Sequence, residues 1–316
     1  MTVASAPGKI ILFGEHAVVY GQPAIAVPVT AVQAKARVQP DISAPSGRIL
    51  VWAEQIGLDA ALDELPIDNP LAAAVRAALA ALGVPRPPAF RLHVSSTIPL
   101  AGGMGSGAAV SVAILRAVSD FLGRPFSDEQ VNDLTFEIEK LHHGTPSGID
   151  NTVVTYAQPV FFIKGQPVER LRVGRPLHWL IADSGQPAPT AETVGDVRRA
   201  WQADPGRCDN LFAQIGLIAH QARDALAAGQ AAELGRLMDA NQALLQELDV
   251  SSALLEMLAA TAREAGALGA KLSGGGRGGN VIALVEENSA AQVREALLAA
   301  GAKAVIDTRL GQRRAG

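Results

Sequence analysis

Three residues that can bind charge, Lys9, Glu15 and His16, lie in and directly after an apolar run near the start of the sequence. The run 10–13 is typical of a buried strand, and a buried Lys or Glu side chain loses several kcal/mol of hydration free energy unless it has a partner. The pattern therefore predicts a site that binds a charged ligand. The alternative is an edge strand whose polar side chains face water.

A glycine-rich stretch at 98–109 follows a predicted strand and opens a predicted helix. Glycine lets the backbone turn sharply and direct N–H groups at an anion, and the amino-terminal end of the helix adds about half a positive charge. The stretch therefore predicts a cradle for a phosphate chain, while a tight strand-to-helix turn is the alternative. It is not a Walker P-loop, because no Gly-Lys-Ser/Thr closes it. The residues of the cradle are Pro99, Ala101, Gly102, Gly103, Met104, Gly105, Ser106, Gly107 and Ala108.

A third segment carries two carboxylates on either side of a turn. Glu139 lies on a predicted helix that runs into Gly144 and Pro146, and Asp150 follows. A helix end with ordinary caps explains the glycine and the proline. That alternative does not require Asp150, which is therefore a candidate functional residue.

The first of these segments resembles a known family. Residues 6–21 are similar to the opening motif of the GHMP small-molecule kinases, and the form Gly-Glu-His-Ala-Val-Val-Tyr-Gly resembles the branch that phosphorylates mevalonate. The segment 137–151 resembles the part of that branch that carries a catalytic aspartate and a magnesium-binding glutamate. Matched position by position, these are Asp150 and Glu139.

Both glycine-rich segments resemble further motifs of the family, with departures. At 98–109 the order Ala101-Gly102 is reversed from the usual Gly-Ala, and Gly107 replaces the second serine. The segment 271–280 resembles the third motif, with Arg277 in place of a usual glycine. Arg277 either adds charge near the phosphates or points to solvent. The motifs occur in the family's order and span most of the chain.

The resemblance implies ATP and Mg²⁺ as cofactors and assigns roles to the matching residues. Glu139 would bind Mg²⁺, and Ser106 would complete the metal site directly or through water. Asp150 would accept the proton of the substrate alcohol or act mainly as an orienting charge. Lys9 would lie near Asp150 and the γ-phosphate, where a cation offsets the developing charge.

The resemblance also implies a set of residues near the acceptor. Thr190 belongs to this set because residues 182–194 are similar to a substrate-proximal stretch of the family, while a helix N-cap is the alternative for Thr190. Ser273 supplies the hydroxyl that a threonine usually brings. The set comprises Glu15, His16, Ser147, Gly148, Thr190, Ser273 and Gly274.

The function implied is ATP-dependent phosphorylation of the 5-hydroxyl group of mevalonate to 5-phosphomevalonate, a step of isoprenoid precursor biosynthesis. A related kinase that acts on phosphomevalonate, or on another hydroxyl group of mevalonate, is the nearest alternative. A nucleotide-binding regulator that lost catalysis is a further alternative. Lys9 and Asp150 are both present, which argues against the regulator.

The composition excludes several other classes of protein. The chain has 316 residues, 48% hydrophobic and 18% charged, as in globular proteins. A net charge of -4 without basic runs argues against nucleic-acid binding. The single cysteine, Cys208, is typical of a reducing compartment. No signal peptide and no apolar run of about 20 residues is found, so we expect a cytoplasmic protein without a membrane partner.

The elements that must position these residues follow from periodicity and turn signals. Predicted strands lie at 9–13, 24–28, 32–38, 48–52, 90–95, 153–157, 160–163, 178–182, 281–285 and 304–307. Predicted helices lie at 70–82, 106–121, 127–142 and 290–298, and helical periodicity prevails from 190 to 268.

The fold class implied by the resemblance is the two-domain α/β (α+β) GHMP kinase fold. Residues 1–170 would form the N-terminal domain, with a mixed sheet, the phosphate-binding residues and the catalytic residues. Residues 171–316 would form a ferredoxin-like C-terminal domain, with the active site in the cleft between the two. Turn formers and charges at 167–176 favour this boundary. Members of the family are often homodimers, and nothing in the sequence identifies an interface.

Overall fold

The computed structural model describes residues 1–99, 103–143 and 147–311, with only the backbone of His142 and His143. In these ranges the strands are β1 (Thr2–Phe13), β2 (Ala24–Pro40), β3 (Ile49–Ala53), β4 (Leu58–Ala61), β5 (Phe90–Ser96), β6 (Val160–Phe162), β7 (Glu169–Arg170), β8 (Leu177–Asp183), β9 (Gly269–Ser273), β10 (Asn280–Val285) and β11 (Ala304–Leu310). The helices are α1 (Pro70–Leu82), α2 (Ser106–Phe121), α3 (Asp128–His143), α4 (Ile149–Tyr156), α5 (Thr190–Ala203), α6 (Pro205–Ala228), α7 (Ala231–Glu247), α8 (Ala253–Glu264) and α9 (Ala290–Ala299).

Local signals explain why several helices begin and end where the sequence predicts. The bounds of α1 and α2 match the predicted ones. At the start of α1 the side chain of Asn69 accepts hydrogen bonds from the N–H groups of Leu71 and Ala72, and Pro70 occupies the first helical position. Gly83 ends the helix in the left-handed conformation. No helix of the described ranges is long and apolar enough to cross a bilayer.

The prediction of a strand at 153–157 is wrong, because this segment belongs to helix α4. A short run of β-branched residues does not distinguish a strand from a buried helix. Packing against α2 and α3 decides the outcome, and it buries every residue from 151 to 155. The change matters for the site, since the helix carries Asp150 in its first turn.

The strands predicted at 24–28 and 32–38 form one continuous strand, β2. Pro28 lies between the residues of β2 that pair with β6 and those that pair with β5, so its missing N–H breaks neither set of hydrogen bonds. The short strands β4 and β7 were not predicted, because four and two residues are too few to show a pattern.

The chain divides into two compact units. The first comprises residues 1–9, 32–99 and 105–157, and the second comprises 10–31, 103–104 and 158–311. In the first unit β4, β3, β5 and β2 neighbour one another in this order, with β3 and β5 parallel and the other pairs antiparallel. The predicted mixed sheet is therefore confirmed. The helices α1 to α4 pack against one another. The predicted domain boundary at residue 170 stays a prediction.

The second unit contains a separate antiparallel sheet in the order β11, β8, β10, β9. Along the chain the elements run β8, helices α5 to α8, β9, β10, α9, β11, which is the β-α-β-β-α-β order of a ferredoxin-like fold. The helices α7 and α8 pack on β9, and α9 packs on β8 and β11. The predicted ferredoxin-like arrangement is confirmed.

Candidate active site

A lysine and an aspartate form an ion pair in the first unit. Lys9 extends from β1, and its Nζ lies 2.9 Å from Oδ1 of Asp150. The lysine side chain is 8% exposed and the aspartate 31%, so the pair is partly shielded from water and opens toward solvent on the carboxylate side. Asp150 lies in the first turn of α4, where the helix dipole attracts a negative charge.

The stem of Lys9 lies against the start of helix α2, and a glycine makes this approach possible. Gly105 is the N-cap of α2, with φ +68°. A Cβ at this position would lie 2.8 Å from Cγ of Lys9, closer than real contacts allow. The first-turn N–H groups of Ser106, Gly107 and Ala108 have no partner within the helix, as at any helix start. A cation and N–H groups without a partner in the helix thus occur together, which suits an anion.

A second carboxylate, Glu139 of α3, is buried in the same unit. Burial, and after it the charge of Asp150, raise the pKa of Glu139, while Lys9 opposes both effects, and together they bring the pKa to about 7. No group of three or more His, Cys, Asp or Glu residues that could hold a metal ion occurs in the described ranges. Glu139 and Asp150 therefore provide two carboxylates that need additional ligands to bind a cation.

In the second unit Glu15 forms a salt bridge with Lys271 of β9, and both side chains are almost completely buried. Lys271 also donates a hydrogen bond to the carbonyl of Leu272 at 2.6 Å. Burial raises the pKa of Glu15 and lowers the pKa of Lys271, while their mutual attraction opposes both shifts. Lys271 is not among the site residues predicted from the sequence. The signal was available, since a lysine in the apolar strand 269–273 needs a buried partner.

His16 follows Glu15 in a left-handed conformation, with φ +60°. Its Nε2 lies 3.0 Å from the carbonyl oxygen of Gly275. Burial lowers the pKa of His16 to about 4, so the ring is neutral near pH 7 and Nε2 carries the proton that it donates. Nδ1 has no hydrogen-bond partner in the described part of the chain.

The remaining residues predicted near the acceptor occupy loop and helix ends. Thr190 is the first residue of α5 and Pro189 is the N-cap, so the alternative of an N-cap threonine is wrong. Ser273 ends β9 and donates its hydroxyl to the carbonyl of Ile11 at 2.7 Å. Gly274 follows with φ +90°.

The residues that precede α4 and α2 complete the predicted set. Ser147 is exposed, and its Oγ accepts a hydrogen bond from Ile149 N–H at 3.3 Å. Gly148, with φ +87°, is the N-cap of α4. In the phosphate cradle Pro99 follows β5, Gly103 is exposed and Met104 is buried. The predictions for Ala101 and Gly102 lie outside the described residues.

Phosphoryl transfer requires in-line positioning and neutralisation of charge more than covalent chemistry. A lysine paired with an aspartate, a helix start that follows glycines, and a second buried carboxylate supply those requirements. Together with the two α/β units, these features define the class as a phosphotransferase.

Comparisons with known proteins identify the family. Residues 69–158 match the GHMP kinases N terminal domain, and residues 222–303 match the GHMP kinases C terminal domain. The chain is 35% identical over 326 residues to a mevalonate kinase of Thermococcus sibiricus, covering 96% of this chain and 95% of the relative. It is 35% identical over 310 residues to that of Aeropyrum pernix, covering 95% and 94%.

A solved structure agrees with these relatives. L. major mevalonate kinase in complex with R-mevalonate has a TM-score of 0.85 and 30% identity, covering 100% of this chain and 97% of that one. The chain belongs to the GHMP kinases, which are ATP-dependent kinases. The family resemblance stated from the motifs is therefore confirmed.

Proposed function

We propose that the protein transfers the γ-phosphoryl group of ATP to the 5-hydroxyl group of mevalonate. The observation that carries this proposal is the 2.9 Å ion pair between Lys9 and Asp150, with the lysine stem against the start of α2. The acceptor follows from the relatives, since the proteins of Thermococcus sibiricus and Aeropyrum pernix are mevalonate kinases and the L. major structure contains R-mevalonate.

Asp150 accepts the proton of the attacking hydroxyl group or orients that group, a role typically worth about 10²–10⁴ in rate. Lys9 holds Asp150 in position and offsets the negative charge that develops on the transferred phosphoryl group. The N–H groups at the start of α2 bind the phosphate chain of the nucleotide. The residues Pro99, Ala101, Gly102, Gly103, Met104, Gly105, Ser106, Gly107 and Ala108 form this phosphate cradle.

Mg²⁺ fits the donor set of the first unit. Mg²⁺ binds one or two carboxylates together with phosphate oxygens and waters, and Glu139 and Asp150 are two carboxylates whose charges interact. A carboxyl group with a pKa of about 7 becomes fully ionised beside a cation. Glu139 would hold the ion, with Ser106 or a water as a further ligand. When bound, Mg²⁺ neutralises charge on the β- and γ-phosphates.

Two buried atoms of the second unit support the assignment of the acceptor residues. Oε2 of Glu15 and Nδ1 of His16 have no hydrogen-bond partner among the described residues. Both atoms are hydrogen-bond acceptors, because His16 carries its proton on Nε2, so each can accept a hydrogen bond from a hydroxyl group of a small polyol acid such as mevalonate. Ser147, Gly148, Thr190, Ser273 and Gly274 are proposed as the other acceptor-side residues.

Cellular location and assembly are part of the proposal. We expect a cytoplasmic enzyme, and the free, buried thiol of Cys208 is typical of a reducing compartment. A homodimer follows from the family resemblance alone. Light scattering on the purified protein measures the mass of the particle directly.

An acceptor panel tests the proposed function. ADP release is measured with Mg-ATP and, separately, mevalonate, 5-phosphomevalonate, galactose and homoserine. We expect turnover with mevalonate only. Turnover with 5-phosphomevalonate alone would move the enzyme to another step of the same pathway. Tight ATP binding without turnover of any acceptor would support a regulator instead.

A further inference from the structure

Arg277 adopts a backbone conformation that favours glycine. Its φ is +56°, within the glycine-rich loop 274–279, at a position where the motif of the family usually has glycine. A residue with a Cβ in this left-handed region loses conformational free energy relative to glycine. Compensating interactions of the side chain are therefore expected, and the structure contains them.

The guanidinium group of Arg277 joins the loop to two other elements. It forms an ion pair with Asp196 of α5, and it donates hydrogen bonds from Nε and Nη2 to the carbonyl of Asp249 at 3.2 and 3.0 Å. Its backbone N–H donates to the carbonyl of Val250 at 2.9 Å. The side chains of Arg277 and Asp196 are only 28% and 26% exposed, so water screens this pair less than a surface pair. The side chain of Arg277 therefore does not point to open solvent, and its guanidinium group is already engaged by Asp196 and Asp249.

The same loop contacts two of the proposed acceptor residues. The carbonyl of Gly275 accepts the hydrogen bond from His16. A Cβ at Gly275 would lie 2.6 Å from Oγ1 of Thr190 and 3.0 Å from its Cα, so the loop and the start of α5 are in close contact there. Helix α5 thus meets the loop at two places, through Thr190 at Gly275 and through Asp196 at Arg277.

We propose that Arg277 is a positioning residue for the acceptor. Its pair with Asp196 fixes the loop against α5, and the loop in turn fixes His16 through Gly275 and keeps Thr190 in place. Arg277 acts through these residues and does not contact the substrate. This inference rests on the proposed function, because His16 and Thr190 bind the acceptor only if that function is correct.

The first variant is Arg277→Gly, which restores the residue that the motif usually has. It removes the ion pair and relieves the left-handed strain, so the fold is expected to persist with an unchanged melting temperature. Without the fixed loop, His16 no longer holds its hydrogen bond to the acceptor. The loss of one such hydrogen bond predicts a rise of about tenfold in KM for mevalonate. The kcat and the KM for ATP are expected to stay within about twofold, since Lys9 and Asp150 are untouched.

Three further variants separate positioning from general structural damage. Asp196→Asn is expected to raise KM for mevalonate as Arg277→Gly does. The double variant Arg277→Gly/Asp196→Asn is expected to raise this KM no further, because both substitutions break the same ion pair. Arg199→Ala is the matched control, because Arg199 also pairs with Asp196 but is exposed, with 72% of its side chain accessible. It should leave all kinetic constants unchanged. A fall in kcat with unchanged KM for mevalonate, or an equal rise in both KM values, would overturn the positioning role.

Hydrogen exchange measures, without any substrate, how firmly the pair of Arg277 and Asp196 holds the loop 274–279 against α5. The amide of Arg277 bonds to Val250, and the amide of Gly279 bonds to Gln186. Both amides should exchange faster in Asp196→Asn than in the wild type and Arg199→Ala. Unchanged exchange would show that the pair of Arg277 and Asp196 does not fix the loop, whatever the acceptor is. A wild-type enzyme that does not phosphorylate mevalonate would instead contradict the proposed function, so the two failures are distinguishable.

Discussion

At the scale of single residues, Lys9 and Asp150 carry the chemistry. We expect Lys9→Met and Asp150→Asn to lower kcat by at least about 10²–10⁴, because one removes the cation and the other the proton acceptor. Nucleotide affinity should change little. Lys140→Met, which removes an exposed lysine paired with Glu137, is the control and should be fully active. Loss of ATP binding in both active-site variants, measured by calorimetry, would contradict the assigned roles.

His16 predicts how stability depends on pH. The folded protein keeps His16 neutral down to about pH 4, whereas the unfolded chain protonates it near pH 6.5. The unfolded state therefore binds more protons between these values, so the free energy of unfolding falls as the pH decreases from 6.5 to 4. The difference corresponds to about 3 kcal/mol at pH 4.

His16→Asn tests this linkage, because asparagine tolerates the left-handed conformation of residue 16. Urea unfolding at pH 7, 5.5 and 4 should show a smaller loss of stability in the variant than in the wild type. His220→Asn, which changes an exposed ring, is the control. Equal pH profiles for the wild type and His16→Asn would contradict the burial of a neutral histidine.

The candidate residues differ in how far sequence could identify them. A buried lysine or glutamate needs a partner, so Lys9, Glu15 and Lys271 all carried a signal in the apolar runs around them. The partners themselves depend on tertiary contacts, and Glu15 and Lys271 are 256 residues apart in sequence. Nothing in the sequence around Asp196 indicates that it pairs with Arg277.

At the scale of elements, helix α4 shows where pattern recognition fails. Its β-branched residues favour a strand locally, and only burial against α2 and α3 makes the segment helical. Helices with strong end signals were predicted closely, as for α1 with Asn69, Pro70 and Gly83. Helix caps can be predicted from the local sequence. Whether a short buried segment forms a strand or a helix depends on the elements that pack against it.

The contact between Gly105 and Lys9 gives a prediction at the same scale. Gly105→Ala places a Cβ 2.8 Å from Cγ of Lys9 and should displace the lysine from the start of α2, lowering kcat about 10²-fold. Gly123→Ala is the matched control, since Gly123 lies outside the phosphate cradle and has a similar φ of +70° but no atom within 4 Å of the added Cβ. Equal activities of the two variants would show that backbone strain alone, and not the displaced lysine, matters.

At the scale of the whole molecule, the ion pair between Glu15 and Lys271 influences stability. Lys271→Met leaves Glu15 buried without a partner, which predicts a loss of about 3–5 kcal/mol in the free energy of unfolding. The double variant Glu15→Leu/Lys271→Met should recover most of that loss, because no unpaired charge stays buried.

Urea unfolding of the single and double variants measures both values. Arg236→Met, which breaks the surface pair with Glu233, is the control and should leave the unfolding midpoint unchanged. A double variant as unstable as Lys271→Met would mean that packing, and not the buried charge, determines the loss.

The fold class of the whole molecule was predicted from the motifs and not from the periodicity of the sequence. Strand and helix patterns alone do not give the order β11, β8, β10, β9, because register and neighbours arise from long-range pairing. The family resemblance supplied the ferredoxin-like class of the C-terminal domain, and the observed sheet agrees with that class. The neighbours of β2, which pairs with both β5 and β6, were equally unreadable from the local sequence.

Phosphorus NMR of the reaction product tests the central claim most directly. The enzyme is incubated with Mg-ATP and mevalonate, and the product is compared with authentic 5-phosphomevalonate, with Asp150→Asn as the inactive control. We predict one new phosphomonoester signal, coupled to the protons of the C5 methylene group, in the wild-type reaction only. A phosphate on another hydroxyl group, or no new signal from an enzyme that binds ATP, would contradict the proposed function.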